Sequence, residues 1–122
     1  MPTYLTLFDY TDAAWSHMVA SPGDREAAAR QVIEASGGTL VAFYWMLGDH
    51  DGLAIFEVGD AAMATGVLAG IASAGMVKGT YTSTLLNATE ARHALEHAQS
   101  VTASYAPPGG AAAWRAEYDQ RR

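Results

Sequence analysis

Hydrophobic and polar positions divide the chain into short segments with two different periods. Residues Thr3 to Asp9 alternate in strand fashion, Leu5 and Leu7 on one face and Tyr4, Thr6 and Phe8 on the other. Thr11 and Asp12 cap a short helical turn holding Trp15 and Met18, and Ser21-Pro22-Gly23-Asp24 restarts the chain with a cap, a proline and an acid. The helix that follows runs to about Ser36, its Ala28, Val32 and Ala35 on one face while Arg25, Glu26 and Arg30 stay wet, and Gly37-Gly38 stops it. Thr39 to Leu47 is nearly all apolar and rich in β-formers, as in a strand covered on both faces. The turn residues Gly48 to Gly52 then lead into a second strand, Leu53 to Val58, so the pair predicts an antiparallel hairpin.

Asp60 caps a helix to about Ser73 with Met63, Val67 and Ile71 on one stripe and Gly66 and Gly70 on another, which would let a neighbour approach closely. Met76 to Leu86 is the fourth strand, with Tyr81, Ser83 and Leu85 opposed to Lys78, Thr80, Thr82 and Thr84. Thr89 caps a last helix through Ala98. The organisation is therefore one domain over 1–100, followed by an Ala/Gly/Pro tail over 101–122 with a break at Pro107-Pro108-Gly109-Gly110 and a possible docking segment around Trp114 and Tyr118. The order β-α-β-β-α-β is the split βαβ arrangement of an α+β, ferredoxin-like sandwich: a four-stranded antiparallel sheet with helices on one face.

That arrangement leaves one face of the sheet without cover. The second strand offers Phe43, Trp45 and Leu47 to one side and Ala42, Tyr44 and Met46 to the other, so neither side suits water. Burying an aromatic side chain is worth about 1.5–3 kcal/mol, so a few of them offset much of the cost of association. The expectation is a homodimer or larger homo-oligomer joined through this face.

Composition removes several alternatives. The 122 residues suit one core, and seven basic against thirteen acidic residues give a net charge of -6, which repels nucleic acid and anionic membrane surfaces. Without cysteine there is no disulfide, thiolate nucleophile or cysteine-based metal site. The opening residues read as a strand rather than a secretory leader, and the Ala/Gly-rich stretch from Ala61 to Val77 falls short of a spanning length, so a cytoplasmic location is expected. No G-x-G-x-x-G follows a strand, and Gly109-Gly110 lacks the lysine and serine of a phosphate-binding loop, so no nucleotide or other cofactor is implied.

Three stretches resemble a known family. Met1-Pro2-Thr3-Tyr4, the run from Phe43 to Asp51, and Tyr105-Ala106-Pro107-Pro108-Gly109 are similar to GYD-domain proteins, a resemblance that spans most of residues 1–109. It implies a dimeric α/β barrel, two ferredoxin-like units with their sheets packed together, in a family whose members are mostly of unknown function. The family's signature glycine, tyrosine and aspartate correspond to Gly48, His50 and Asp51, with histidine standing where tyrosine is usual.

The candidate chemistry gathers at the hairpin. His50, oriented by Asp51, has the residue types of a general base near neutral pH, whereas the plainer reading makes Asp51 a turn cap and His50 a solvent-facing neighbour. Tyr44, Trp45, Met46 and Tyr81 have the character of a pocket wall for a planar ligand, and equally of a packed dimer interface. Glu57 shares strand parity with Asp51, Leu53 and Ile55 and is either a carboxylate facing a partly apolar region, a partner of Lys78 or a residue at a wet strand end. His93-Ala94-Leu95-Glu96-His97 spells an inverted zinc-peptidase pattern, but only 25 residues follow it and a solvated helix face explains the same spelling, so no metal is expected. Three functions remain open: binding of a small aromatic or lipophilic metabolite in an inter-sheet cavity; a cofactor-independent isomerase, cyclase or monooxygenase, by analogy of fold; and a purely structural assembly.

Overall fold

The computed structural model describes residues 1–109, 115 and 118–121. The elements in chain order are β1 (Thr3–Tyr10), α1 (Asp12–Ala20), α2 (Arg25–Ala35), β2 (Thr39–Trp45), β3 (Gly52–Glu57), α3 (Ala61–Ser73), β4 (Val77–Leu85) and α4 (Ala88–Thr102). They form two compact units, Met1–Leu85 and Leu86–Arg122. In the first unit a single antiparallel sheet has the order β2-β3-β1-β4, the ferredoxin-like arrangement read from the sequence. Among the described residues no helix is long and apolar enough to cross a membrane.

Local chemistry fixes the helix starts. The Thr11 hydroxyl accepts from the Ala14 amide at 3.2 Å, Asp24 from Ala27 at 3.0 Å and Asp60 from Met63 at 2.9 Å. The expected turn after β1 is a full nine-residue helix, α1. The last helix begins earlier than Thr89 suggested: Asn87 accepts from the Glu90 amide at 2.8 Å while Glu90 reaches back to the Asn87 amide at 3.0 Å. This reciprocal pair satisfies two end donors, which a lone threonine cannot do. In this second unit α4 is exposed; His93 is open to solvent and Glu96 accepts from Arg92 at 3.2 Å. Trp114, expected in the tail, lies outside the described residues.

Strand register sorts the side chains of the first unit into cross-strand rows, because directly opposed residues share a face. On the face packed under α2 and α3 lie the rows Trp45–Gly52–Phe8–Gly79, Phe43–Ala54–Thr6–Thr82 and Leu40–Phe56–Tyr4–Thr84. Here sits the core, with Phe56 only 1 % exposed and Val58 fully buried. Gly52 is required by its neighbour: a Cβ at that position would run into the Phe8 ring. On the opposite face lie the rows Tyr44–Leu53–Leu7–Tyr81 and Ala42–Ile55–Leu5–Ser83. No helix of this unit covers that second face, and Tyr44 and Tyr81 are 66 % and 56 % exposed.

Strict alternation fails in β4. A bulge between Leu7 and Phe8 of β1 and the facing residues of β4 leaves Thr80 as the extra residue, so Lys78 opposes Asp9 and shares the open face with Tyr81. One inserted residue inverts the facing of everything beyond it, which is why the sequence pattern put Lys78 and Tyr81 on opposite sides.

Candidate functional site

The hairpin between β2 and β3 is held to β1 through Asp51. Its amide donates to the Phe8 carbonyl at 3.0 Å and to Asp9 Oδ1 at 3.1 Å, and its own carbonyl accepts from the Met46 amide at 2.8 Å. Pairing between β1 and β3 ends at Phe8 and Gly52, so the next inward amide, that of Tyr10, has no strand partner on this side; it donates instead to Asp51 Oδ2 at 2.9 Å. Gly48 reverses the chain at φ +156°, a conformation that side chains disfavour. The Asp51 side chain is thus committed to a backbone amide of β1.

His50 has other partners. Its Nδ1 lies 2.9 Å from Thr80 Oγ1 and 3.4 Å from Asp9 Oδ2. The Thr80 hydroxyl donates to the Leu7 carbonyl at 3.2 Å, which leaves its oxygen to accept. With the proton on Nδ1 both oxygens accept from it, and Nε2 is left with a free lone pair. The orienting carboxylate is therefore Asp9, not Asp51: Asp9 follows Leu5 and Leu7 on the open face, whereas Asp51 turns to the Tyr10 amide. Thr80 joined the site only through the bulge, which no single-strand pattern reveals.

The remaining sequence-derived residues do not converge. Tyr44 and Tyr81 occupy one row but opposite edges of the sheet, three strand spacings or roughly 14 Å apart. Trp45 points to the helix-covered face and stacks on Tyr10 at 5.2 Å, with Trp15 of α1 at 5.6 Å from both rings. Alternation along β2 puts it on the side away from Tyr44, so the two cannot line one wall. Met46 follows β2 at the hairpin, where its backbone is tied to Asp51. Glu57 opposes Thr3 and Thr39 at the far end of the open face, about 20 Å along β3 from Asp51, and Lys78 opposes Asp9 at the other end, so of the alternatives for Glu57 a pair with Lys78 does not form and a position at a strand end is what the register gives.

A cavity of about 340 Å³ lies between the sheet and helices α2 and α3. Its cause is a run of short side chains: Ala28 and Ala29 of α2 and Ala54 of β3 face it, and Phe43, Phe56, Val67 and Ile71 form its wider walls. The cavity is partly open to solvent rather than an enclosed void. Only Thr6, Tyr10 and Arg25 bring polar side chains to the lining, and the Thr6 hydroxyl already contacts the Tyr81 carbonyl at 3.1 Å and Thr82 Oγ1 at 2.9 Å. Arg25, expected to be wet, turns inward, its Nε buried with no hydrogen-bond partner. It occupies the first position of α2, where its aliphatic stem follows the apolar wall. Burial raises the pKa of the Tyr10 hydroxyl; the nearby Arg25 opposes that shift and the Asp51 charge adds to it. Among the described residues no cluster of histidine and carboxylate side chains is arranged to hold a metal.

The sheet order, the covered and open faces and the hairpin staple define a ferredoxin-like α+β domain with one helix-covered face. Residues 4–95 match the GYD domain family, and the chain belongs to it. No curated protein and no solved structure matches the chain.

Proposed function

We propose that this domain binds a small aromatic or lipophilic molecule, and that it does so in the cavity between the sheet and helices α2 and α3. The observation that carries this reading is the cavity itself: about 340 Å³ with walls of aromatic, aliphatic and alanine side chains. Ligand sites have this size and character, and apolar voids much smaller than this take up aromatic guests. The inter-sheet cavity expected from the sequence requires a second copy, while this one belongs to a single chain. The test is native mass spectrometry of gently purified protein together with thermal melting in the presence of small hydrophobic compounds. A reproducible extra mass, or a raised melting temperature with compounds that fit, supports the reading; a bare mass and an unmoved melting temperature across the series count against it and favour a purely structural assembly.

The same reading has the domain pair with a second copy through the open face, where Leu5, Leu7, Leu53 and Ile55 form an aliphatic centre flanked by exposed Tyr44 and Tyr81. Leu53→Glu places a charge in that centre, so the expected outcome is a monomer by sedimentation equilibrium where the parent is a dimer. A parent that is itself monomeric removes the pairing and leaves the cavity reading intact.

A second reading rests on the Asp9–His50–Thr80 arrangement, in which two side-chain oxygens face Nδ1 of the imidazole. In it, His50 Nε2 is the general base or acid of a cofactor-independent isomerase, cyclase or monooxygenase assembled at the open face. His50→Ala then abolishes turnover without loss of fold, and Asp9→Asn lowers it by mis-setting the tautomer.

A further inference from the structure

We infer that the ligand of the sheet–helix cavity is a monoanion, an apolar body of aliphatic or aromatic carbon ending in a carboxylate that seats on Arg25 beside the Tyr10 hydroxyl. The inference rests on the cavity being a ligand site and adds the chemical class of its occupant. It starts from an imbalance in the lining. Apart from the Thr6 hydroxyl, already in contact with Tyr81 and Thr82, the polar side chains of the lining are Arg25 and Tyr10, and Arg25 brings its one charge, a positive one in an otherwise carbon wall. A charge in apolar surroundings is favoured by an opposite charge beside it, which an anionic ligand would bring.

The nearby carboxylates are engaged elsewhere. Asp24 caps the Ala27 amide at 3.0 Å, Glu26 pairs with Arg30 at 3.3 Å, and Asp51 accepts from the Tyr10 amide at 2.9 Å. Arg25 also sits in the first turn of α2, so the end of the helix adds partial positive charge at the same point. Tyr10 supplies a hydroxyl hydrogen-bonded to Arg25, and its own proton remains to be donated to a ligand. A carboxylate matches the planar fork of a guanidinium better than other small acceptors do.

The dimensions set the rest of the molecule. Filled to the density of a protein interior, about 340 Å³ holds on the order of ten to fifteen non-hydrogen atoms. A smaller hollow of about 200 Å³, lined by Ala14, His17 and Met18, shares Tyr10, Arg25, Met76 and Val77 with the first. Arg25 and Tyr10 therefore stand between two spaces, with the larger, carbon-lined one taking the tail.

Calorimetric titration of the intact protein with octanoate and octanol, and with phenylpropanoate and phenylpropanol, separates the two levels of the proposal. The carboxylates are expected to bind about ten-fold or more tighter than the alcohols of the same length, the value of a hydrogen bond to a charged group. Arg25→Met should remove that preference while leaving the alcohols bound, and Arg25→Lys should keep part of it. Equal binding of acid and alcohol by the parent protein overturns the anion assignment and leaves the cavity reading standing, with no variant needed. Binding of none of the four compounds overturns both.

Discussion

The two faces of the sheet are made by the same four strands, yet they are built to opposite plans. On the helix-covered face the centre of the sheet mixes large rings with almost nothing: Phe8 beside Gly52, Phe43 beside Ala54. The α2 alanines Ala28 and Ala29 above do not fill what the glycine and alanine leave open, and a cavity results. On the open face the centre is uniformly aliphatic, with Leu53 beside Leu7 and Ile55 beside Leu5, and the rings stand at the edges. An aliphatic centre suits a flat partner, whereas rings around a void suit a guest. The family relationship alone does not distinguish the two faces; the row-by-row placement of side chains does.

The contrast is broken most severely by emptying the filled part of the covered face. Phe56→Ala should destabilise the domain by about 3–5 kcal/mol, read as a fall in the urea midpoint, because Phe56 is 1 % exposed and its space cannot collapse fully. Overfilling the same face is the next largest effect: Gly52→Ala drives a Cβ into the Phe8 ring and should cost about 1–3 kcal/mol.

At the hairpin, Asp51→Ala leaves the Tyr10 amide without its acceptor and should cost about 1–3 kcal/mol. His50→Ala, on the open side of the same turn, should change stability by no more than about 0.5–1 kcal/mol. Equal losses for the two would contradict the division between a structural aspartate and a histidine free for other work.

The smallest effect is confined to alkaline pH. Tyr10 holds its proton more tightly in the folded chain, so its contribution is fully present below the ordinary tyrosine value of 10.0 and is lost as pH rises from there through the folded value. Tyr10→Phe should therefore lessen the fall in melting temperature above about pH 10 and leave the profile at neutral pH unchanged.

Much of the frame was legible in the residues. The alternation of β1, the β-rich run of β2, the turn chemistry between β2 and β3 and the acid caps of α2 and α3 each dictate a local structure that the tertiary contacts do not override. The candidate site was less legible, for three physical reasons. The bulge at Thr80 adds one residue to β4, so Lys78 changed face and Thr80 reached His50, and register belongs to a pair of strands rather than to either alone. Asp9 and Asp51 are equivalent acids by spacing, and only the end of the β1–β3 ladder decides which one the backbone takes. Arg25 looks solvated by type and by its neighbours Glu26 and Arg30; its inward turn depends on the alanines that leave it room. Asn87 is itself a legible cap through Glu90 three residues later, the spacing of a capping box.

The claim that the two faces have separate work is tested most directly by methyl-detected NMR of the intact domain titrated with phenylpropanoate. Shifts confined to Val67, Ile71 and Val77, which line the cavity, with Leu5, Leu53 and Ile55 unmoved, are the result this account predicts. Shifts at Leu5, Leu53 and Ile55 with the cavity methyls unmoved would contradict it and return the ligand to the open face.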